Sequence, residues 1–110
     1  MRLKEAEVEV GYLYLTNANQ YRAVLAMKDG FMIYAPSIEG SEPLNLMSTS
    51  LPFNNQPFKK CQIITFAKKD YQAFEFNDNE AIKHKLNESQ LAVAIAQCNA
   101  KSAISALLAG

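Results

Sequence analysis

The stretch YRAVLAMKDGFMIYA, residues 21–35, decides the fold of this 110-residue chain. It consists of two mainly apolar runs, residues 21–28 and 31–35, separated by the pair Asp29-Gly30. An Asp-Gly pair between apolar runs favours a type I′ turn, because both central residues need a positive φ and glycine adopts one without strain. The stretch therefore predicts an antiparallel β-hairpin, whose second strand ends at Pro36.

A further strand is predicted before the hairpin. Between Glu5 and Val10 acidic and apolar residues alternate, which is the period of a strand with one wet face. Gly11 interrupts the alternation, and residues 12–15 are apolar on both faces. We therefore expect one long strand that bulges or bends at Gly11. The polar residues 16–20 predict the turn that follows it.

Three shorter strands are predicted after the hairpin. The candidates are Leu44, Leu46 and Met47 for a fourth strand, residues 61–66 for a fifth and residues 71–76 for a sixth. The segment before the fifth strand contains all four prolines, and most of it is predicted to be a loop.

The last third of the chain is predicted to be helical. Two pairs have the residue types of an N-terminal capping box, namely Asn77 with Glu80 and Asn87 with Gln90. Two interpretations fit: a short helix over residues 79–86 followed by a long one over 88–109, or one helix with an internal polar patch. The two capping signals favour the break.

These elements predict a single α+β domain over residues 1–110, with a β-rich part at 1–76 and a helical part at 77–110. We expect a small antiparallel barrel or curled sheet of five to six strands, followed by one or two C-terminal helices. In its size, its bent first strand and its tight hairpin, the β-rich part resembles the SH3-like barrels. Such barrels serve many unrelated functions, so the resemblance implies a fold and no activity.

Composition excludes several classes of protein. Apolar residues make up 49% of the chain and charged residues 20%, which excludes a disordered or collagen-like chain. Eleven basic residues balance eleven acidic ones, so no strong net field draws the chain to nucleic acid or anionic lipid. Residues 91–109 are the one span to weigh as a membrane helix, and Lys101 there costs roughly 2.5–3.5 kcal/mol. The N-terminus has no targeting pattern, so we expect a cytoplasmic protein.

No motif in the sequence carries catalytic or metal-binding chemistry. His84, the only histidine, lies between two lysines on an expected solvated helix face, a setting that suits neither a metal site nor a general base. Cys61 and Cys98 are interpreted as small buried hydrophobic residues, with a disulfide between them left open. Glu5, Glu7 and Glu9 share one face of the first strand, where three carboxylates could bind a divalent cation, but a wet strand face explains them more simply. We therefore predict a protein that is not an enzyme and has no cofactor or metal.

The C-terminal helix is predicted to contact a second copy of the chain. It is apolar at most positions, and a helix that is apolar nearly all round is normally buried. A domain of this size has one sheet face to cover, so a second apolar stripe is left for a partner. The predicted contact residues are Leu91, Ile95, Ile104, Leu107 and Leu108. One alternative is a bend in the helix that buries both stripes within the monomer. The other is that the alanines are present only because alanine is a strong helix former.

Two further surfaces are candidates for contact. A loop carries large apolar residues that either tuck under the sheet, which we favour, or are offered to a partner: Leu51, Phe53 and Phe58. Basic residues adjoin aromatic ones in a pattern typical of single-strand binding, with stacked bases and neutralised phosphates: Lys59, Lys60, Phe66, Lys68, Lys69 and Tyr71.

The sequence therefore predicts a non-catalytic, protein-binding accessory or regulatory protein that acts through a homodimer and a protein partner. Compact chains without motifs are common among accessory proteins of phages and mobile elements, which suggests that kind of origin. The alternative function is binding of single-stranded nucleic acid or RNA by a small β-barrel. A small enzyme or a ligand-binding protein ranks third.

Overall fold

The computed structural model describes residues 1–40, 51–53 and 56–110. Its strands are β1 Tyr12–Thr16, β2 Tyr21–Lys28, β3 Phe31–Pro36, β4 Lys59–Gln62, β5 Tyr71–Gln72, β6 Phe74–Phe76, β7 Asn79–Ala81 and β8 Lys83–Lys85. Its helices are α1 Ile63–Ala67, α2 Glu88–Gln97 and α3 Lys101–Ala109, with a 3₁₀ turn at Glu5–Glu7. The fourth strand predicted at Leu44, Leu46 and Met47 lies outside the described residues.

Six of these strands form one antiparallel sheet. From one edge the order is β4, β3, β2, β1 and β5, and β8 pairs with β1 along the same side as β5. Strands β6 and β7 form a separate two-stranded ribbon. The α+β class and the antiparallel sheet followed by C-terminal helices are confirmed, and the sheet is open rather than closed into a barrel.

The hairpin of β2 and β3 forms as the sequence predicts. Its register ends on Lys28 opposite Phe31. The turn between them has φ values of 53° at Asp29 and 82° at Gly30, the positive values that a type I′ turn requires. This hairpin supplies the two central strands from which the sheet extends on either side.

Both faces of the sheet are covered, which gives the molecule three layers. Successive residues of a strand point to opposite faces, so Leu13 and Leu15 of β1 face one layer and Tyr14 faces the other. The first, which we call the helix face, packs against α2, α3 and residues 51–53. The second, which we call the α1 face, packs against α1 and the N-terminal segment. This double coverage explains why β1 is apolar on both sides.

The strand predicted before Gly11 is wrong. Residues Glu5–Glu7 form a 3₁₀ turn instead. The backbone that follows is hydrogen-bonded to the hydroxyl of Tyr14. That hydroxyl donates to the Glu7 carbonyl oxygen at 2.7 Å and accepts from the Glu9 N–H at 2.9 Å. Gly11, with a φ of 87°, turns the chain into β1, a conformation that residues with a side chain rarely adopt.

The strand predicted over residues 61–66 is correct only as far as Gln62. Helix α1 begins at the next residue, Ile63, whose N–H donates to the Gly30 carbonyl oxygen at 2.8 Å. The helical turn carries Phe66 back over the α1 face, where it is fully buried. Burial of this ring on the sheet, a long-range contact, outweighs the local strand pattern.

The helix predicted over residues 79–86 is wrong, because that segment forms β7 and β8. Asn77 and Asp78 have φ values of 52° and 61° and form the turn between β6 and β7, rather than capping a helix. Asn and Asp tolerate this left-handed region better than most residues. The strand predicted over residues 71–76 is interrupted at Ala73, where the chain leaves the sheet for the ribbon. The helical part of the chain therefore begins after β8 and not at residue 77.

The capping box at the start of α2 is confirmed. The Asn87 Oδ1 accepts from the Gln90 N–H at 2.8 Å, and the Gln90 Oε1 accepts from the Asn87 N–H at 2.9 Å. The long helix predicted over residues 88–109 is interrupted at residues 98–100, where Asn99 has a φ of 56°. Helices α2 and α3 consequently lie at 105° to each other, and both pack on the helix face.

Candidate functional site

The predicted dimer-contact residues lie mainly inside the monomer. Because the chain bends between α2 and α3, both apolar stripes reach the same face of the sheet. Four of the five residues are half-buried against that core: Leu91, Ile95, Ile104 and Leu107. Leu108 differs, since it is 53% exposed. Four of these residues therefore pack within the monomer, as the bent-helix alternative predicts. Dimerisation itself stays a prediction.

Leu108 belongs to an exposed apolar corner of the molecule. The Lys28 Nζ donates to the Leu108 carbonyl oxygen at 2.8 Å, and Lys28 is the cross-strand neighbour of Phe31, which is 42% exposed. We call Phe31, Leu107 and Leu108 the apolar corner. Ile64, at the start of α1, is exposed at the same end of the sheet. Three of the six large apolar side chains exposed among the described residues thus lie at one end of the sheet, with Ile64 on the α1 face and Leu108 on the helix face.

Helix α3 is poorly buried for its composition. Six of its nine residues are apolar, yet none is fully buried. A helix of this composition normally has protein on more than one side. Its outward positions include Ser102, Ser105 and Ala106, which are small and exposed and allow a second backbone to approach closely. The outward side of α3 therefore presents small residues, two of them serines, and the exposed side chain of Leu108.

Charged residues of both signs border the apolar corner. Lys28 and Asp29 stand at the end of the central hairpin, and the Lys60 Nζ lies 5.6 Å from the centroid of the Phe31 ring. A cation over an exposed ring contributes about 0.5–1 kcal/mol and holds the ring in place. An apolar centre with a polar rim is the usual anatomy of a protein–protein interface.

The predicted loop contacts are tucked into the core. Leu51 and Phe53 are 1% and 0% exposed on the helix face, and the Phe53 N–H donates to the Gln97 Oε1 at 3.3 Å. Phe58 is half-buried, and its N–H donates to the Cys98 carbonyl oxygen at 3.1 Å. A cleft of about 410 Å³ lies beside Phe58, against the end of α2. The tucked arrangement is confirmed for Leu51 and Phe53, so neither side chain is offered to a partner.

The residues of the nucleic-acid alternative do not form one surface. Phe66 and Tyr71 are each 1% exposed, so neither ring is available to stack on a base. The four lysines of the same set are exposed: Lys59, Lys60, Lys68 and Lys69. The first two are adjacent in β4 and point to opposite faces of the sheet. Contact between these lysines and phosphates stays a prediction.

Sequence reasoning missed a cluster on the α1 face around Arg22, which is buried. Its guanidinium carbon lies 4.8 Å from the centroid of the Tyr34 ring and 5.4 Å from that of Phe66. Its Nε donates to the Gln20 Oε1 at 2.7 Å, and its Nη1 donates to the Tyr71 hydroxyl at 3.2 Å. We call these five residues the arginine cluster. The one signal in the sequence is a cation inside the apolar run of β2.

The remaining side chains that could take part in catalysis are either hydrogen-bonded or not activated as nucleophiles. His84 lies in β8 and is buried, so the expected solvated helix face is wrong; its Nε2 lies 2.7 Å from the Phe74 carbonyl oxygen. Cys61 and Cys98 are free thiols. Burial raises the pKa of both, which disfavours the nucleophilic thiolate. Within the described ranges, no group of three or more His, Cys, Asp or Glu side chains could hold a metal ion.

Comparisons with known proteins give no significant match, whether to protein-family models, to curated proteins or to solved structures. In the part of the chain that the structure describes, no single helix is long and apolar enough to cross a membrane. Helices α2 and α3 meet that criterion only when taken together across their bend.

Proposed function

We propose that the chain is a non-catalytic, protein-binding accessory or regulatory protein of the cytoplasm, which self-associates through the apolar corner and the outward side of α3. The observation that carries the proposal is the state of α3, which is apolar at six of nine positions without one fully buried residue. The exposed Phe31 ring and the exposed Leu108 side chain are both next to Lys28, which pairs with Phe31 across the hairpin and donates to the Leu108 carbonyl oxygen. Exposed apolar side chains that lie near one another on a folded protein favour an interaction site there.

The rim of the corner supports a second copy as the occupant. In a two-fold symmetric dimer the same patch meets itself, so its rim must offer both signs of charge. Lys28 and Asp29 provide both signs at the end of the hairpin, and Lys60 stands beside Phe31. The one charged residue of α3 is Lys101, at its start, so the rest of the helix meets its copy without repulsion.

The expected affinity is modest. Burying the exposed halves of Phe31 and Leu108 would contribute about 1 kcal/mol for each side chain, and a dimer buries four of them. Lost translational and rotational freedom costs about 4–15 kcal/mol, so the outward side of α3 must supply the balance. We therefore expect a dissociation constant weaker than about 1 µM.

Sedimentation equilibrium over a wide concentration range tests the proposal. The wild-type protein should move from monomer towards dimer above about 100 µM. Leu108→Glu should stay monomeric, because it places two like charges at the centre of the symmetric contact without disturbing a buried side chain. Circular dichroism should show that the variant keeps its fold.

Ile38→Glu provides the matched control. Ile38 is 62% exposed just beyond the opposite end of β3, and the same substitution there should leave self-association unchanged. A wild-type protein that remains monomeric at every concentration would overturn self-association through this corner. Equal weakening by both substitutions would show that added charge, and not the corner, controls association.

A further inference from the structure

The arginine cluster is built around a buried cation with no acidic partner among the described residues. Arg22 is only 9% exposed. The two ion pairs in the described residues are Met1 with Asp70 and Lys83 with Glu9. An isolated buried charge is strongly unfavourable, and buried cations are usually paired with a carboxylate or another anion. The aromatic rings over the guanidinium offset part of this cost and leave the charge itself unneutralised.

The guanidinium also keeps donors that its neighbours do not use. Of its five N–H groups, one on Nε binds Gln20 and one on Nη1 binds Tyr71. No acceptor for Nη2 is found in the described residues, and no fully buried side-chain nitrogen or oxygen there lacks a partner. Nη2 is therefore not fully buried. The planar fork of an arginine matches a phosphate or a carboxylate with two parallel hydrogen bonds.

The Tyr34 ring that the guanidinium covers carries a second donor, its hydroxyl. The centroid of the Tyr34 ring lies 4.8 Å from the Arg22 guanidinium carbon. The Tyr34 hydroxyl, like Nη2, has no partner among the described residues and is not fully buried. Burial raises the pKa of Tyr34, against a smaller opposing effect of the Arg22 charge. The hydroxyl is therefore protonated at neutral pH and free to donate. Tyr71 cannot serve in this way, since its own hydroxyl already donates to the Phe66 carbonyl oxygen at 2.7 Å.

The surface around the cluster is basic. Lys59 is the cross-strand partner of Tyr34 and shares its face of the sheet. Lys68 and Lys69 are exposed in the turn between α1 and β5, directly before Asp70 and Tyr71. The Asp70 carboxylate lies 3.9 Å from the amino group of Met1, which offsets its charge. A ligand with more than one negative charge would therefore meet a net positive field here.

We propose that Arg22 and Tyr34 form a binding site for the phosphate group of a small molecule. The buried guanidinium supplies charge and the N–H donors of Nη2, and the tyrosine hydroxyl supplies a further donor. The exposed lysines attract the dianion and raise its rate of arrival. The site lies on the α1 face, opposite the layer of α2 and α3, so it is independent of the self-association proposed above.

Thermal unfolding in inorganic phosphate, against sodium chloride of equal ionic strength, tests the site. A ligand present at about ten times its dissociation constant should raise the Tm of a chain of this size by roughly 5 °C. Tyr34→Phe should reduce the rise while keeping the buried ring, and Arg22→Met should abolish it. Tyr12→Phe removes a hydroxyl elsewhere on the same face and should leave the rise intact.

Three results would overturn the assignment. One is a wild-type Tm that phosphate does not raise, or raises equally in Tyr34→Phe and Arg22→Met. Another is an equal rise in acetate, which would show that the site does not select phosphate. The third is a gel-mobility shift of a single-stranded oligonucleotide that Arg22→Met abolishes, which would assign the cluster to nucleic acid instead. If Arg22→Met fails to fold, the phosphate-induced rise in Tm is compared between Tyr34→Phe and Tyr12→Phe. An equal rise in these two variants would overturn the assignment.

Discussion

One phenylalanine of this chain is buried in the core and another is exposed at the proposed interface. Replacing each with alanine distinguishes a contribution to stability from a contribution to self-association. Phe53 is 0% exposed and packs on the helix face, whereas Phe31 is 42% exposed at the apolar corner. Phe53→Ala should cost about 3–5 kcal/mol, the usual range for a fully buried phenylalanine. Phe31→Ala should cost only about 1 kcal/mol, because much of its ring is already in water.

Urea denaturation measures this difference directly. With a slope of about 1.5–2 kcal/mol per molar urea, Phe53→Ala should lower the midpoint by about 2 M and Phe31→Ala by about 0.5 M. A domain of this size is stable by about 5–15 kcal/mol, so both variants should fold in the absence of urea, Phe53→Ala with the smaller margin. Sedimentation should show the reverse order, with self-association weakened by Phe31→Ala and retained by Phe53→Ala.

Equal shifts in the two midpoints would refute this reasoning. They would mean that residues 51–53 do not contribute to the core and that the tucked arrangement of the loop is not what stabilises the helix face. Self-association lost in Phe53→Ala and kept in Phe31→Ala would move the interface from the apolar corner to the loop.

Further substitutions test the local elements. Asn87→Ala removes the acceptor for the Gln90 N–H and should cost about 1 kcal/mol, measured by urea denaturation. Gly30→Ala should cost about 1–2 kcal/mol from its positive φ alone, since a Cβ there would meet no atom within 4 Å; a cost near zero would contradict the type I′ turn. Burial raises the pKa of Tyr14 from about 10 to about 12, so the unfolded chain loses this proton first. The free energy of unfolding should therefore hold below pH 10 and decline as the pH rises towards 12, with a smaller decline in Tyr14→Phe.

Features that depend on a few neighbouring residues could be predicted from the sequence. The Asp29-Gly30 turn is one, because the backbone conformation needed there favours those two residue types whatever surrounds them. The capping box of Asn87 and Gln90 is another, because both of its hydrogen bonds close within three residues. The composition and the order of strands and helices likewise indicated the α+β class.

Features that depend on contacts between distant residues could not be predicted from the sequence. The run after Gln62 suits a strand or a helix, and the burial of Phe66 on the α1 face selects α1. Asn77 suits a helix cap or a left-handed turn, and the pairing of β6 with β7 selects the turn. In each case the local free energies of the two conformations differ by about 1 kcal/mol or less, so that packing decides.

The candidate sites show the same division. The sequence by itself determined that the C-terminal segment is more apolar than a surface helix needs, and it placed lysines beside aromatic residues. Only the tertiary structure decided which side chains stay exposed, because the 105° bend buries most of both stripes and leaves Leu108 outside. It alone brought Arg22 to Tyr34, Phe66 and Tyr71, since residues up to 49 positions apart meet when the sheet and α1 pack together.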